Sequence, residues 1–210
     1  LLEDHLPEWR EALNIASPPG VQIFRFGRSK SEDLDSKVFI LGCDVTSTSL
    51  LEKLLYQPVA GFLNLGDLGN REEQFLEEPV KRLKRADIPH LWTEQETLFR
   101  YLATDKRHHQ ADLLKKRWQK LLDKVVIQNS AVNLARTLWL QQHFPNAYFI
   151  HIVRNGYAVA LELRETIQNC YGPQPLLLSR VARHWARSLE ILLADAPKLD
   201  RFLEVRYETL

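Results

Sequence analysis

A cluster of hydroxyl residues between two apolar segments could bind an anionic group. The cluster follows an apolar run that ends in glycine, and it precedes a helical pattern that starts at Leu50. Its residues are Gly42, Cys43, Asp44, Val45, Thr46, Ser47, Thr48 and Ser49. Backbone N–H groups at the start of a helix, together with hydroxyl groups, bind phosphate and sulfate groups. The segment therefore predicts an anion site, although a Ser/Thr-rich turn that only caps a helix has the same composition.

This segment differs from the loop that binds nucleoside triphosphates. That loop has the pattern G-x-x-x-x-G-K-[ST], in which backbone amides and the lysine contact the phosphates. Counting from Gly42, Ser47 stands at the second glycine and Thr48 stands at the lysine. The sequence therefore argues against an ATPase or GTPase, and a nucleotide kinase or other P-loop phosphotransferase is the weakest of the functions considered.

A second candidate site is an arginine that directly follows an apolar run. Residues 148–153 have the composition of a buried strand, and Arg154 is the next residue. In open α/β sheets, ligands bind beyond the carboxyl ends of the strands. The forked donors of a guanidinium group suit a phosphate. Arg154 is therefore a candidate phosphate ligand, and the alternative is a structural arginine that pairs with a nearby carboxylate.

Strands and helices must alternate to place these two segments together. The patterns predict strands at 21–26, 38–42, 125–128, 148–153 and 202–207. They predict helices over 1–15, from 50, over 132–143, from 158 and over 177–193, with helical pieces between 72 and 124. This alternation predicts an α/β fold, a three-layer sandwich with a mainly parallel sheet of about four or five strands. We expect one domain over 1–210, because no repeat or low-complexity segment divides the chain.

Composition and charge exclude several classes of protein. The chain has 210 residues, of which 45% are hydrophobic, with 28 Lys and Arg against 27 Asp and Glu. No apolar run approaches the roughly 20 residues of a transmembrane helix, so no membrane span is expected. Basic residues concentrate at 81–85 and 115–117, which fits either a surface that attracts anions or a solvated helix face. No nucleic-acid-binding module accompanies them, so we expect no nucleic-acid partner.

The cysteine and methionine content indicates the cellular compartment of the protein and the processing of its chain. Cys43 and Cys170 are the only cysteines, and neither a disulfide framework nor a metal-ligand spacing is present. We therefore expect a reducing, cytoplasmic compartment and no metal. Methionine is absent even at position 1, which predicts a fragment, a processed form or an engineered chain.

Four segments in order carry a resemblance to one family. They are 38–51, 133–154, 182–185 with Trp185, and 206–210 with the sequence Arg-Tyr-Glu-Thr-Leu. Over 38–210 the chain resembles the sulfotransferases, bacterial members especially, that use 3′-phosphoadenosine-5′-phosphosulfate (PAPS). The resemblance implies a P-loop nucleotide-kinase-like sulfotransferase fold and PAPS as the donor. It also implies a hydroxyl or amine acceptor on a small molecule or glycan, which would enter over 60–120, and no metal.

The resemblance also assigns roles to residues. It implies that the 5′-phosphosulfate lies against Gly42, Cys43, Thr46, Ser47, Thr48 and Ser49. Arg154 corresponds to the arginine that binds the 3′-phosphate, and Glu162 stands where a serine normally holds the same phosphate. Some family members use a glutamate after the first helix as general base, which makes Glu72 the candidate. The alternative for Glu72 is a surface residue of an acidic helix.

Several positions depart from the family pattern, and four of them make the site more negative. Val45 replaces an Arg or Lys, Asn129 replaces a lysine, and Asp44 and Glu162 add carboxylates. A site so changed is about four charge units more negative than the family's site, which weakens binding of a polyanionic donor. Two hypotheses follow: a sulfotransferase that uses PAPS, or a catalytically impaired relative that serves as a binding module.

Overall fold

The structure is a computed structural model, and it describes part of the chain. The described residues are 37–43, 46, 48, 50–51, 62–64, 91–106, 108–118, 125–172 and 176–209. The predicted strand at 21–26 and the predicted helix over 1–15 lie outside these residues. So do five residues to which the sequence assigned roles or departures, namely Asp44, Val45, Ser47, Ser49 and Glu72.

In the described part of the chain, five parallel strands form one sheet. Their order across the sheet is β2-β3-β1-β4-β5, and every neighbouring pair is parallel. The strands are β1 (Lys37–Leu41), β2 (Phe62–Asn64), β3 (Val125–Asn129), β4 (Tyr148–Val153) and β5 (Phe202–Arg206). This arrangement confirms the predicted mainly parallel sheet and four of the five predicted strands, those at 38–42, 125–128, 148–153 and 202–207. The sequence patterns did not predict β2, which has only three residues.

Apolar side chains on both faces of the sheet explain why its strands are apolar runs. All five residues of β1 are buried. Phe39 and Phe149 stack on one face with ring centroids 5.5 Å apart. On the other face, Ile40 and Ile152 cluster with Leu51 of the helix that follows β1. A parallel strand covered on both faces cannot alternate polar and apolar residues.

Helices cover the sheet and connect its strands. They are α1 (Glu96–Phe99), α2 (His108–Trp118), α3 (Thr137–His143), α4 (Gly156–Tyr171) and α5 (Leu178–Asp195). Residues from α2, α3 and α5 pack on the face of the sheet that carries Phe39. Together with the Leu51 helix on the opposite face, they make the three layers that the sequence predicted.

Helix α5, the longest among the described residues, buries one stripe of its surface. The buried residues recur at the three- and four-residue spacing of a helix face. They are Val181, His184, Ser188, Ile191, Leu192 and Asp195. Arginines beside this stripe bind carboxylates of the 92–100 segment, as in the pairs Arg180–Glu94 and Arg187–Glu96. The segment is therefore attached along the length of α5.

The helix predicted over 132–143 is divided in two. Residues Ala131–Ala135 form a 3-10 turn, and α3 begins only at Thr137. Between them Arg136 has a non-helical backbone, with φ −141° and ψ 22°. Its side chain is buried, and its guanidinium carbon lies 5.3 Å from the centre of the Tyr101 ring. The tertiary contact of a buried arginine accompanies a break that helical periodicity did not predict.

The register of the strands brings the candidate residues to one edge of the sheet. Leu41 of β1 lies opposite His151 of β4, and Val153 of β4 lies opposite Arg206 of β5. Because all strands are parallel, their carboxyl ends meet at the same edge. Gly42 and Arg154, which directly follow β1 and β4, therefore lie at neighbouring strand ends.

Candidate functional site

The turn after β1 is tight and internally bonded. The backbone N–H of Thr46 donates to the carbonyl of Cys43 at 3.1 Å. The Thr46 hydroxyl donates to the same carbonyl at 2.7 Å, and Thr46 is buried. The hydroxyl proton of Thr46 is thus used to shape the turn. Backbone groups of the loop remain the natural donors for an anion placed there.

Gly42 permits this turn because there is no space for a side chain. A Cβ atom on Gly42 would lie 2.6 Å from Cγ2 of Thr48 and 3.0 Å from Cγ2 of Ile152, and closer still to the Thr46 hydroxyl. Any larger residue would push the loop away from β4. The glycine that ends the apolar run therefore sets the separation between the first loop and the neighbouring strand.

Cys43 points into the protein interior. Its thiol is buried and is not part of a disulfide, and it packs with Leu91, Val159 and Leu163. The Ser188 hydroxyl lies 4.0 Å from its sulfur atom. The Cys43 side chain therefore anchors the loop to α4 and α5, and only the backbone of this residue is left to face a ligand.

Arg154 is paired within the chain. Its Nη1 atom donates to Oε2 of Glu162 at 2.6 Å. Its guanidinium carbon lies 4.7 Å from the centre of the Tyr207 ring. The side chain of Arg154 is 18% exposed and that of Glu162 is 47% exposed. The structure thus has the carboxylate pairing that the sequence left open as the alternative to a phosphate contact.

The start of α4 is capped by two side chains. The Asn155 side-chain oxygen accepts hydrogen bonds from the N–H groups of Tyr157 and Ala158 at 3.0 and 3.4 Å. Oε1 of Glu208 accepts the backbone N–H of Asn155 at 2.6 Å. This hydrogen bond holds the pKa of Glu208 below its ordinary value, with further contributions from Arg154 and Arg206. Capping oxygens therefore already use donors at the start of this helix that an anion could have bound.

The Trp185 ring of α5 packs directly against the first residue of α4. A Cβ atom on Gly156, the first residue of α4, would lie 2.6 Å from the Trp185 ring. The tryptophan identified in the sequence as a family feature is therefore a packing residue beside the start of α4. It places the α4 N-terminus, and with it Arg154, against the rest of the protein.

Charges of both signs lie at this edge. The described arginines Arg154 and Arg206 are matched by the carboxylates of Glu162 and Glu208. Asn129 ends β3 on the other side of β1, with Ile40 as its partner in the register. The edge can therefore bind an anion through Arg154 when Glu162 moves aside, or a hydroxyl group while the pair stays intact.

The sequence missed two contacts at this site. Arg154 lies over the Tyr207 ring, and Glu208 binds the amide of Asn155. Both residues were recognised as a strand end, but no partners were assigned to them. The pairing of β4 with β5 in parallel register places them there, and that pairing is a long-range contact that local patterns do not encode.

The described part of the chain has neither a cluster that could bind a metal ion nor a helix that could span a membrane. Within it, no three His, Cys, Asp or Glu residues lie close enough together to hold a metal ion. None of the helices assigned there has both the length and the apolar composition needed to cross a bilayer.

Comparison with known proteins gives one family and several structures. The model of a family described as "Sulfotransferase family" matches residues 37–210. The sulfotransferase domain from the curacin biosynthetic pathway is 20% identical, with a TM-score of 0.50 over 81% of this chain and 66% of that chain. This likeness shows the fold. Comparison with curated proteins gives no match.

Two further solved structures are matched over a similar share of their own length. The sulfotransferase domain from the Synechococcus PCC 7002 olefin synthase is 22% identical, with a TM-score of 0.48 over 82% of this chain and 66% of that chain. The sulfotransferase STF1 from Mycobacterium tuberculosis is 15% identical, with a TM-score of 0.49 over 98% of this chain and 67% of that chain. The chain thus spans about two thirds of the length of these proteins.

Proposed function

The chain belongs to the sulfotransferase family, and from that premise we propose that it transfers a sulfuryl group from a phosphosulfate nucleotide of the PAPS type to a hydroxyl or amine acceptor. The observation that carries the proposal is the meeting of two segments at one edge of the sheet. The Gly42 turn follows β1, Arg154 follows β4, and the two strands are neighbours. Ligands of parallel sheets bind at this edge.

The donor supplies an activated sulfur atom. A bond forms from the acceptor oxygen or nitrogen to sulfur as the bond from sulfur to the oxygen bridging to phosphate breaks, and the bond electrons stay on the phosphate. The proton of the acceptor passes to a base, for which Glu72 is the candidate. Charge that develops on the bridging oxygen requires stabilisation by positive groups or amides. In this proposal the backbone of the loop after Gly42 provides it.

The described residues fit such a donor at its phosphosulfate end better than at its ribose end. The turn at Gly42 and Cys43 presents backbone to the edge of the sheet, because the side chains of Cys43 and Thr46 are engaged elsewhere. Thr48 stands at the start of the helix after β1. At the other end, Arg154 offers a guanidinium group, but the Glu162 carboxylate already binds it.

Other parts of the proposal rest on composition and family. We place the acceptor, a small molecule or glycan, over 60–120, and we treat 1–210 as one sulfotransferase-like domain. The reduced thiol of Cys43 and the absence of a disulfide framework in the sequence support a cytoplasmic location.

A second candidate function is a non-catalytic binding module. The Arg154–Glu162 ion pair favours it, because an arginine neutralised from within the chain no longer requires an anionic ligand. In this alternative the sulfotransferase fold is kept and donor chemistry is lost.

The two functions differ in a direct assay. PAPS and adenosine 5′-phosphosulfate, each labelled with sulfur-35, are offered with pooled hydroxyl and amine acceptors, and labelled product is measured. We expect transfer, lowered at least about tenfold in Arg154→Ala because the guanidinium orients the donor. Arg201→Ala is the matched control, since Arg201 also lies over a tyrosine ring, 4.9 Å from Tyr148, but precedes β5 at the amino edge. Nucleotide binding without transfer to any acceptor would favour the binding module.

A further inference from the structure

The Arg154–Glu162 pair has an open side. Glu162 lies on the second turn of α4 and uses one carboxylate oxygen, Oε2, for Arg154. Among the described residues its other oxygen, Oε1, has no hydrogen-bond partner, and the side chain is 47% exposed. A ligand beside Arg154 therefore meets an accessible carboxylate as well as a guanidinium group.

The guanidinium group has a second contact, with an aromatic ring. The Tyr207 ring lies 4.7 Å from its central carbon, and Tyr207 directly follows β5. A guanidinium that lies over an aromatic ring and is bonded to a carboxylate is restrained by both contacts. Arg154 cannot turn toward a ligand without losing one of these contacts.

A phosphate group is poorly accommodated at this position. If Glu162 stays, the phosphate lies beside a carboxylate that binds the same guanidinium, and like charges at that separation repel. If Glu162 leaves, a short charge-assisted hydrogen bond is exchanged for another of the same type, so little is gained. Either way, a phosphate at this end of the ligand adds little affinity.

A hydroxyl group is well accommodated there. It can donate its proton to Oε1 of Glu162 and accept a hydrogen bond from the guanidinium group, which leaves the ion pair intact. Nucleotide sites in other α/β folds show the same rule: a carboxylate at the sheet edge binds a ribose hydroxyl, and an arginine accommodates a phosphate at that position.

We infer that Glu162 makes this site select a phosphosulfate nucleotide whose ribose carries free hydroxyls, adenosine 5′-phosphosulfate, over its 3′-phosphorylated form. The inference rests on the proposed function and specifies the donor within it. The transfer step is unchanged: sulfur bonds to the acceptor as its bond to the bridging oxygen breaks, the proton goes to the base, and adenosine 5′-phosphate is the product. Glu162 is a specificity-determining residue that touches the ribose of the donor.

The test compares two product nucleotides that differ by one phosphate. Adenosine 5′-phosphate and adenosine 3′,5′-bisphosphate are titrated by calorimetry into the wild type, Glu162→Ser and Glu162→Gln. The matched control is Glu165→Ser, which removes an exposed carboxylate from the same helix one turn further on. Melting temperatures of the four proteins establish that each is folded.

We expect the wild type to bind the monophosphate at least as tightly as the bisphosphate. In both Glu162 variants the ratio of the two dissociation constants should shift toward the bisphosphate by about tenfold or more, and in Glu165→Ser it should stay as in the wild type. The shift is a ratio, so a variant that merely binds all nucleotides less well does not imitate it.

Other outcomes separate this inference from the proposed function. A wild type that binds the bisphosphate tenfold more tightly overturns the inference and leaves the proposed function standing. An unchanged ratio in both Glu162 variants overturns the assignment to Glu162. Failure of both nucleotides to bind any of the proteins at millimolar concentration overturns the proposed function and the inference together.

Discussion

Two arginine–carboxylate pairs with the same bond length lie in different regions of this protein. Arg100 binds Asp195 through two hydrogen bonds of 2.6 Å, and Arg154 binds Glu162 through one of 2.6 Å. The Asp195 side chain is 2% exposed and also accepts the Thr137 hydroxyl at 2.9 Å. The Glu162 side chain is 47% exposed. The two arginines are similarly exposed, at 19% and 18%, so the pairs differ in their carboxylates: the first is buried, and the second is accessible at the edge of the sheet.

Burial and the number of hydrogen bonds give these pairs different roles. Asp195 ends α5 and binds both the residue after α1 and the first residue of α3, so one carboxylate connects three elements. Both of its oxygens accept hydrogen bonds, and the carboxylate is almost fully shielded from water. Glu162 binds a single residue within its own region, and water or a ligand can reach its free oxygen. Distance alone does not separate a structural pair from an exchangeable one.

The largest effect is expected at the buried pair. Asp195→Ala removes both hydrogen bonds from the Arg100 guanidinium to Asp195, so that only its 3.3 Å bond to the Ala135 carbonyl remains, and it leaves the Thr137 hydroxyl without its acceptor. Breaking a buried pair from one side costs about 3 kcal/mol or more. Urea unfolding followed by circular dichroism measures this loss.

The control for Asp195 is the exposed Asp200. Asp200→Ala removes the same group and should change the free energy of unfolding by less than about 0.5 kcal/mol. If the two variants were equally stable, the buried pair would not be structural and the comparison would fail.

Near the exposed pair, adding a methyl group at Gly156 should destabilise the protein more than removing the charge of Glu162. In Gly156→Ala the new methyl group meets the Trp185 ring, whose nearest atom is 2.6 Å from the Cβ position. Overpacking of this kind costs about 1–3 kcal/mol. Denaturant unfolding measures the cost, and a change in tryptophan fluorescence reports that Trp185 has moved. Glu165→Ala, on the exposed face of the same helix, should change neither the free energy of unfolding nor the tryptophan fluorescence.

A third pair, His151 and Glu204, is intermediate in exposure, and its contribution to stability can be tested by changing the pH. His151 is 1% exposed, and its Nδ1 atom lies 3.2 Å from Oε2 of Glu204, which is 37% exposed. The hydrogen bond to His151 holds the pKa of Glu204 below its ordinary value of 4.5. Because the pKa is lower in the folded state, the stabilisation is fully present above pH 4.5 and is lost as the pH falls through the folded pKa.

Glu204→Gln should therefore destabilise the protein by about 1 kcal/mol near neutral pH, a value reduced for solvent screening. The difference from the wild type should shrink below pH 4.5. Thermal unfolding at several pH values measures it. A difference that stays constant with pH would show that the charge of Glu204 contributes nothing to the pair.

The smallest effect on stability is expected at the exposed pair itself. Glu162→Ser removes a solvent-accessible ion pair, and such pairs contribute about 0.2–1 kcal/mol. Urea unfolding should give a free energy within that range of the wild type, and far from the value for Asp195→Ala. A loss as large as that of Asp195→Ala would make Glu162 a structural residue and would remove the contrast between the two regions.

More of the fold than of the candidate site could be predicted from the sequence. The apolar runs at 38–42 and 148–153 predicted β1 and β4, because a strand covered on both faces needs apolar side chains throughout. The short strand β2 and the break at Arg136 were not predicted, since each depends on contacts with distant residues. At the site, Gly42 and Arg154 were identified from their positions after apolar runs, whereas the partners of Arg154 were not.

The sequence by itself determined the alternation of strands and helices, the parallel sheet and the placing of Gly42 and Arg154 at strand ends. These features follow from local periodicity and from the side chains that a buried strand requires. Only the tertiary structure decided that Glu162 and Tyr207 bind Arg154, that Glu208 binds the Asn155 amide and that Cys43 points inward. The physical reason is that charge pairing and aromatic contacts depend on distances in space, which the order of residues in the chain does not give. A sequence pattern records which groups are available, and the packing of the elements decides which of them meet.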